Sequence, residues 1–177
     1  GDFARAYDTR VKGQSSHFVW TNRSKESLAL DLKDAPSLDA LLRTFTKISQ
    51  GRGISGSHAI SPGLRFRGEK QDLEEMLGNL LDNAFKWAGS TVEVSLASEK
   101  AEDTERIALL IDDDGPGLPE EAMAEVLKRG RRLDETTPGS GLGLSIVVDI
   151  AKLYGGGLTL HRSPLGGLRA RLELPSV

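Results

Sequence analysis

The chain has 177 residues, 38% of them hydrophobic, a formal net charge of −3 and no cysteine. That length suits one globular domain with a real core, and the composition excludes a wholly disordered chain. Disulfides and cysteine-based metal sites are excluded, dispersed basic residues leave no nucleic-acid footprint, and no run approaches the roughly 20 apolar residues of a membrane span or reads as a signal peptide.

Residues 1–36 are mixed and weakly periodic and read as an N-terminal connecting segment, with a strand expected over Ser24–Leu32. A first helix is expected from Ser37, placed as its N-cap. Leu38, Leu41, Leu42, Phe45 and Ile48 make its apolar stripe, and Gly51 is placed to end it. Extended segments follow near Ile54–Ile60 and Leu64–Arg67. From Asp72 to Ala88 the run DLEEMLGNLLDNAFKWA predicts a long amphipathic helix. At about 100° per residue, Leu73, Leu77, Leu80, Leu81, Ala84 and Ala88 fall on one stripe. The opposite face carries Glu75, Asn79, Asp82, Asn83 and Lys86. Two asparagines one turn apart are poor helix formers, and their amide oxygens are neutral, hard ligands suited to Mg²⁺ already held by phosphates. An ordinary solvated face that tolerates asparagine is the other reading.

Val92, Val94 and Leu96 alternate as a strand, and Arg106–Asp112 is expected to pair with it. The run IALLIDDDGPGLP, from Ile107 to Pro119, ends in three aspartates and a Gly-Pro-Gly turn. Such a turn aims a carboxylate from a strand end. Asp114 would accept a hydrogen bond from an exocyclic amine such as that of adenine, while Gly115 and Gly117 leave room for a flat ring. A solvated acidic loop is the alternative. A short helix is expected over Glu120–Arg129, after Pro119, and then a polar stretch to Pro138. Gly139, Ser140, Gly141, Leu142, Gly143 and Leu144 run straight into the helical pattern Ser145–Leu153. Glycines at a helix N-terminus let unpaired first-turn N–H groups approach a phosphate chain, although a structural loop would use the same residues. Strands Leu158–His161 and Leu168–Leu174 close the chain. Helices on one face of a mixed sheet give an α/β (α+β) two-layer sandwich.

In this order, NLLDNAFKW, DDDGPGLP and GSGLGL opening a helix resemble the ATP-binding domain of sensor histidine kinases, in the superfamily shared with gyrase, Hsp90 and MutL. The resemblance covers about Ser37 to Pro175 and assigns residues 37–177 to that catalytic domain, with an ATP lid. Within the family the likeness is closest to PhoQ-type kinases, through TKISQGRGISGSHAISPGLRFRGEKQDLEEMLGNLLDNAFKW and RGRRLDETTPGSGLGL.

Carried onto matching positions, the resemblance implies that Asn79 and Asn83 reach the phosphates and Mg²⁺, with Asn83 the preferred metal ligand. Glu75 matches a glutamate that acts as general base or water-orienting group toward the attacking histidine, and Lys86 a phosphate-contacting lysine. Glu75, Asn79 and Lys86 are then the catalytic candidates. Trp87 stands where the family has tyrosine and would stack on adenine or serve as a core residue. Asp114 matches the adenine-reading aspartate, beside Gly115 and Gly117. The segment from Gly139 through Ser140, Gly141, Leu142 and Gly143 to Leu144 matches the glycine box that lets the lid approach the triphosphate. Arg132 resembles a lid arginine on the γ-phosphate, or is an exposed member of the basic run Lys128–Arg132.

The resemblance further implies a protein-histidine kinase that uses ATP and Mg²⁺. Its partners would be the dimerisation and phosphoacceptor hairpin of the same kinase and the receiver domain of a response regulator. This segment would lie in the cytoplasm, outside the lipid, with its parent in the bacterial inner membrane. Val126, Leu127, Lys128, Arg129 and Gly130 lack the phenylalanine box of most such lids, as PhoQ-like members do, and Thr137 and Ser140 stand where that group has an arginine and a glutamine. No phosphoacceptor motif is present. His17 lies in SSHFVW without an acidic neighbour or helical context, His58 lies in an expected strand and His161 ends another, so all three read as structural or exposed. The chain therefore reads as a catalytic portion of a longer kinase. A degenerate nucleotide-binding regulatory module, and an anti-sigma-type kinase or gyrase-like ATPase, remain the alternatives.

Overall fold

Two sheets and four α-helices make up the part of the chain that the computed structural model describes, residues 28–31, 36–60, 65–101, 104–128 and 142–176. In chain order these are β1 (Leu28–Asp31), α1 (Pro36–Ile48), β2 (Ser55–Ala59), β3 (Arg65–Gly68), α2 (Lys70–Trp87), β4 (Thr91–Ala101), β5 (Thr104–Asp113), α3 (Glu120–Val126), α4 (Gly143–Leu153), β6 (Gly157–Arg162) and β7 (Leu168–Pro175). The larger sheet has the order β2-β4-β5-β7-β6. Only its β2–β4 pairing is parallel. β1 pairs antiparallel with β3 in a separate ribbon, so a strand from the segment before residue 37 joins the rest of the fold.

Side-chain alternation explains how the sheet is covered. Ile107, Leu109 and Ile111 on β5, and Leu168, Ala170, Leu172 and Leu174 on β7, are buried and belong to one core with α2 and α4. The intervening residues of β7, Arg169, Arg171 and Glu173, are only half-buried and turn to the other face. There the guanidinium of Arg169 grips Asp112 through two parallel bonds, Nε to Oδ1 at 2.8 Å and Nη2 to Oδ2 at 2.9 Å. One face packs on helices and the other is polar, as expected for a largely antiparallel sheet in a two-layer α/β fold.

The apolar stripe of α2 is wider than its leucine spacing predicts, because Met76 and Phe85 are buried with Leu73, Leu77, Leu80, Leu81 and Ala84. α1 differs from expectation at both ends. It begins at Pro36, which places Ser37 inside the first turn, where proline's fixed φ is already suited to a helix. At the other end Ile48 is 75% exposed and leaves the stripe. A 3₁₀ turn over Gln50–Arg52 follows, and the left-handed residue that closes it is Gly53 (φ 71°), where Gly51 was expected. α3 stops at Val126, short of the expected Arg129, which lies outside the described residues. α4 starts at Gly143, two residues before the expected Ser145.

Candidate functional site

α2 and α4 pack side by side under the sheet, and their relative direction brings the asparagine face to the start of α4. Asn79 Nδ2 donates to the Glu75 carbonyl one turn back at 2.8 Å, which fixes the amide and turns Oδ1 away from its own backbone. That oxygen faces Gly143: a Cβ there would lie 3.0 Å from Asn79 Oδ1. Two segments predicted separately, the asparagine helix and the glycine-rich helix entry, therefore meet. The first-turn N–H groups of α4 carry the partial positive charge of a helix N-terminus beside a neutral hard oxygen donor. Asn83 is half-buried one turn along α2, as are Glu75, Lys86 and Trp87. The Lys86 ammonium lies 5.2 Å from the centroid of the Trp87 ring.

The C-terminal end of α2 is held by a residue that sequence reasoning missed. Arg52 donates from Nη1 to the Phe85 carbonyl at 3.0 Å and from Nη2 to the Ala88 carbonyl at 3.1 Å. Carbonyls at a helix C-terminus lack partners within the helix, and a guanidinium satisfies them while complementing the dipole. No local signal near Arg52 announces this, since its partners lie more than 30 residues away.

Three consecutive aspartates take three different roles at the end of β5. Asp112 is on the polar face with Arg169. Asp113, one step on, lies on the helix-covered face with Ile107, Leu109 and Ile111 and is 2% exposed. Its Oδ1 accepts the N–H groups of Gly115 at 2.8 Å and Leu168 at 3.2 Å. Oδ2 accepts no hydrogen bond among the described residues. Burial pushes the Asp113 carboxyl above its ordinary value, the two N–H groups oppose this in part, and the charges of Asp114 and Asp112 add to the rise.

Asp114 has another occupation. Its Oδ1 accepts the N–H groups of Gly89, Ser90 and Thr91, each at 2.9 Å, and its Oδ2 accepts the Ser90 hydroxyl at 2.5 Å. Desolvation alone would raise this carboxyl, but the Ser90 hydroxyl and the three N–H groups together hold it down at about 2. Asp114, expected to face a base, thus clasps the turn that joins α2 to β4. The next residue fits tightly against the end of α2. A Cβ at Gly115 would fall 2.3 Å from the Trp87 carbonyl oxygen, and Gly117 has φ 68°, a conformation that favours glycine.

Of the glycine-rich stretch, Leu142, Gly143 and Leu144 are described; Gly139, Ser140 and Gly141 lie outside the described residues, as do Arg132, Thr137 and His17. Leu142 is exposed at the mouth of α4. His58 is bonded through Nε2 to Asp39 Oδ1 at 2.6 Å, a partner its sequence context did not show, and His161 Nε2 bonds the Thr159 hydroxyl at 2.9 Å. They lie on β2 and β6, respectively. Among the described residues, no cluster of histidine, aspartate and glutamate could hold a metal unaided, and no helix is long and apolar enough to cross a membrane.

Comparison with known proteins adds to this geometry. The family profile described as histidine kinase-, DNA gyrase B- and HSP90-like ATPase matches residues 68–177. The sensor protein kinase CarS of Pseudomonas aeruginosa is 47% identical over 143 residues, covering 81% of this chain and 30% of that protein. The sensor protein PhoQ of Escherichia coli K12 is 38% identical over 140 residues, covering 79% of this chain and 28% of its own length. The chain thus spans under a third of these relatives. Among solved structures, the mycobacterial sensor histidine kinase MprB superposes with a TM-score of 0.68 at 28% identity, covering 85% of this chain and 97% of that one. The ATP binding domain of PrrB from Mycobacterium tuberculosis gives 0.67 at 29% identity, covering 86% and 99%.

Proposed function

The chain belongs to the histidine kinase-, DNA gyrase B- and HSP90-like ATPase family, among the sensor histidine kinases, and from that premise we propose that it binds Mg–ATP and transfers the γ-phosphoryl group to a histidine on a dimerisation hairpin outside this segment. The observation that carries this reading is the meeting of Asn79 Oδ1 with Gly143 at the entry of α4. A neutral oxygen donor beside a helix N-terminus suits a metal-bound polyphosphate: the helix favours the anion, and the amide donates to a hard cation without adding charge.

Two neutral amide side chains one turn apart on α2, Asn79 beside the entry of α4, fit Mg²⁺ held jointly with phosphates. Asn83 and Asn79 are its ligands in this reading. Bound there, the ion would supply neutralisation of phosphate charge. Lys86 and the lid residue Arg132 would contact phosphate oxygens, and the backbone N–H groups of Gly139, Gly141 and Gly143 would face the phosphate chain. Glu75, one turn before Asn79 on the same face, orients the incoming imidazole and takes its proton. Phosphoryl transfer depends chiefly on alignment and charge stabilisation, and these groups supply both.

At the base end we assign the adenine amine to Asp113, and we give Asp114 the task of holding the turn under Trp87. Asp114 already accepts from four donor groups, whereas Asp113 Oδ2, on the helix-covered face, accepts no hydrogen bond among the described residues. Trp87 packs beside the ring. The hairpin and the receiver domain of a response regulator are the partners, and the parent kinase sits in the inner membrane with this domain on the cytoplasmic side.

Incubation with γ-labelled ATP tests the reading. The chain alone should bind Mg–ATP and retain no label, and adding the phosphoacceptor hairpin of a PhoQ-type kinase should place label on the hairpin histidine. Label retained on the isolated chain, or a folded chain that binds no Mg–ATP, contradicts it. Binding without transfer to any hairpin favours the regulatory-module alternative.

A further inference from the structure

Tyr154 closes α4 at the end opposite Gly143, and its hydroxyl reaches across to the start of α2. The O–H donates to Asp72 Oδ2 at 2.6 Å, and the phenol oxygen accepts the Glu69 N–H at 3.2 Å. Both hydrogen-bonding capacities are used within the first turn of the asparagine helix. Asp72 is 8% exposed, so this contact is made largely out of water. The ring stands edge-on to Phe66 of β3 with centroids 5.1 Å apart. Gly68 passes beneath both rings, where a Cβ would fall 2.2 Å from Phe66 and 2.9 Å from Tyr154.

α4 therefore meets α2 at two places, Tyr154 with Asp72 and Gly143 with Asn79, and the helices run antiparallel. Between them lie Leu73, Leu77, Val147, Ile150 and Ala151 in the core. Apolar burial holds the helices together but is non-directional, so it resists separation more than sliding. The Tyr154 hydrogen bonds are directional and set the slide. Asp72 and Asn79 are seven residues apart on one helix, about 10 Å along its axis. α2 is fixed at its far end by Arg52, so a slip falls on α4, and a rigid α4 carries it undiminished from Tyr154 to Gly143, where a Cβ would lie 3.0 Å from Asn79 Oδ1.

We propose that the Tyr154 hydroxyl is a positioning group for the triphosphate half of the nucleotide site, acting through Asp72 and the Glu69 backbone. The inference rests on the Mg–ATP reading above. The base half is held by other contacts, Arg52 at the end of α2 and Asp114 on the Gly89–Thr91 turn, and does not depend on Tyr154.

That separation supplies the test. Calorimetry with Mg–ATP and with adenosine is run on the wild type and on Tyr154→Phe, which keeps the ring on Phe66 and deletes only the hydroxyl. Mg–ATP affinity should fall roughly 5–10-fold, the scale of one well-placed hydrogen bond, while adenosine affinity stays within about twofold. Asp72→Ala should reproduce the loss, and Asp72→Asn, which keeps an acceptor oxygen, should restore it. Unchanged Mg–ATP affinity in Tyr154→Phe and Asp72→Ala overturns the proposal, and so does an equal loss for both ligands, the mark of a merely structural role. A folded wild-type chain that binds no Mg–ATP removes the underlying reading as well, and is recognised before any variant is made.

Discussion

Gly167 stands so close to Asp113 that a Cβ on it would lie 2.1 Å from Asp113 Oδ1 and 2.6 Å from the Asp113 carbonyl oxygen. The turn between β6 and β7 is folded directly onto the aspartate, with the Gly167 N–H donating to the Asp113 carbonyl at 3.2 Å. Together with the Leu168 and Gly115 N–H groups, this turn decides where the carboxylate points.

Gly167→Ala should therefore be damaging at both levels. The atoms in its way are backbone and a buried carboxylate, which cannot yield as a flexible side chain would. Overpacking of this kind costs on the order of 1–3 kcal/mol. A lower urea midpoint together with weaker Mg–ATP binding is the expected result, and a variant with wild-type values for both would show that the turn has room to move.

Asp113→Asn should separate stability from binding. The raised carboxyl pKa means that ionisation is disfavoured in the folded state. For an acid shifted upward, the stabilising contribution is present below the unfolded value near 3.8 and is lost as pH rises through the folded value. The neutral amide carries no such penalty, so the variant's stability relative to wild type should improve as pH rises from 3.8 toward neutrality in denaturant titrations. Binding should move the other way. Two backbone donors hold the acceptor atom in the Oδ1 position, so the amide NH₂ takes the Oδ2 position and meets the adenine amine donor to donor. Mg–ATP affinity should drop at least about tenfold, and retention of affinity would place the base contact elsewhere.

Asp114→Ala should show the reverse pattern. Its carboxyl is held down at about 2, so its contribution to stability is present above the unfolded value near 3.8 and is lost as pH falls toward 2. The wild type should lose stability across that acid window and the variant should lack that part of the slope. At pH 7 the variant should be less stable by on the order of 1–2 kcal/mol, since the Gly89–Thr91 donors lose their acceptor. Mg–ATP affinity of the folded variant should stay within a few-fold of wild type. A folded variant that fails to bind would show that Asp114 reads the base itself.

Asn83→Ala should leave folding within about 0.5 kcal/mol, because the side chain is half-buried and outside the apolar stripe. Titrations with and without Mg²⁺ should show the metal's contribution to ATP affinity mostly lost. An undiminished Mg²⁺ effect would leave Asn79 as the metal-directed amide.

The main architecture was legible because it depends on periodicity. α2 announces itself over eighteen residues, long enough for the 3.6-residue rhythm to outweigh two asparagines and a glycine, and every leucine it predicted as buried is buried. The alternation in β5 and β7 is equally clear, and so is the meeting of a glycine-rich entry with a helix. Precision failed where neighbouring residues offer the same local chemistry. Either Gly51 or Gly53 is chemically able to adopt the left-handed conformation, and the closing hydrogen bond from the Gly53 N–H to the Gln50 carbonyl selects the second.

The three aspartates show the same limit at the site. Composition and spacing by themselves determined that carboxylates stand at the end of a strand, that asparagines share one helical face, and that glycines precede α4, because each depends only on repeat geometry within one element. Which carboxylate accepts the Gly115 and Leu168 N–H groups, which clasps a turn and which pairs with an arginine was decided by the tertiary structure. Leu168, Ser90 and Arg169 reach them from other elements of the fold, as Tyr154 reaches Asp72 across 82 residues. Identical side chains acquire different tasks only when distant backbone donors and guanidinium groups are packed against them.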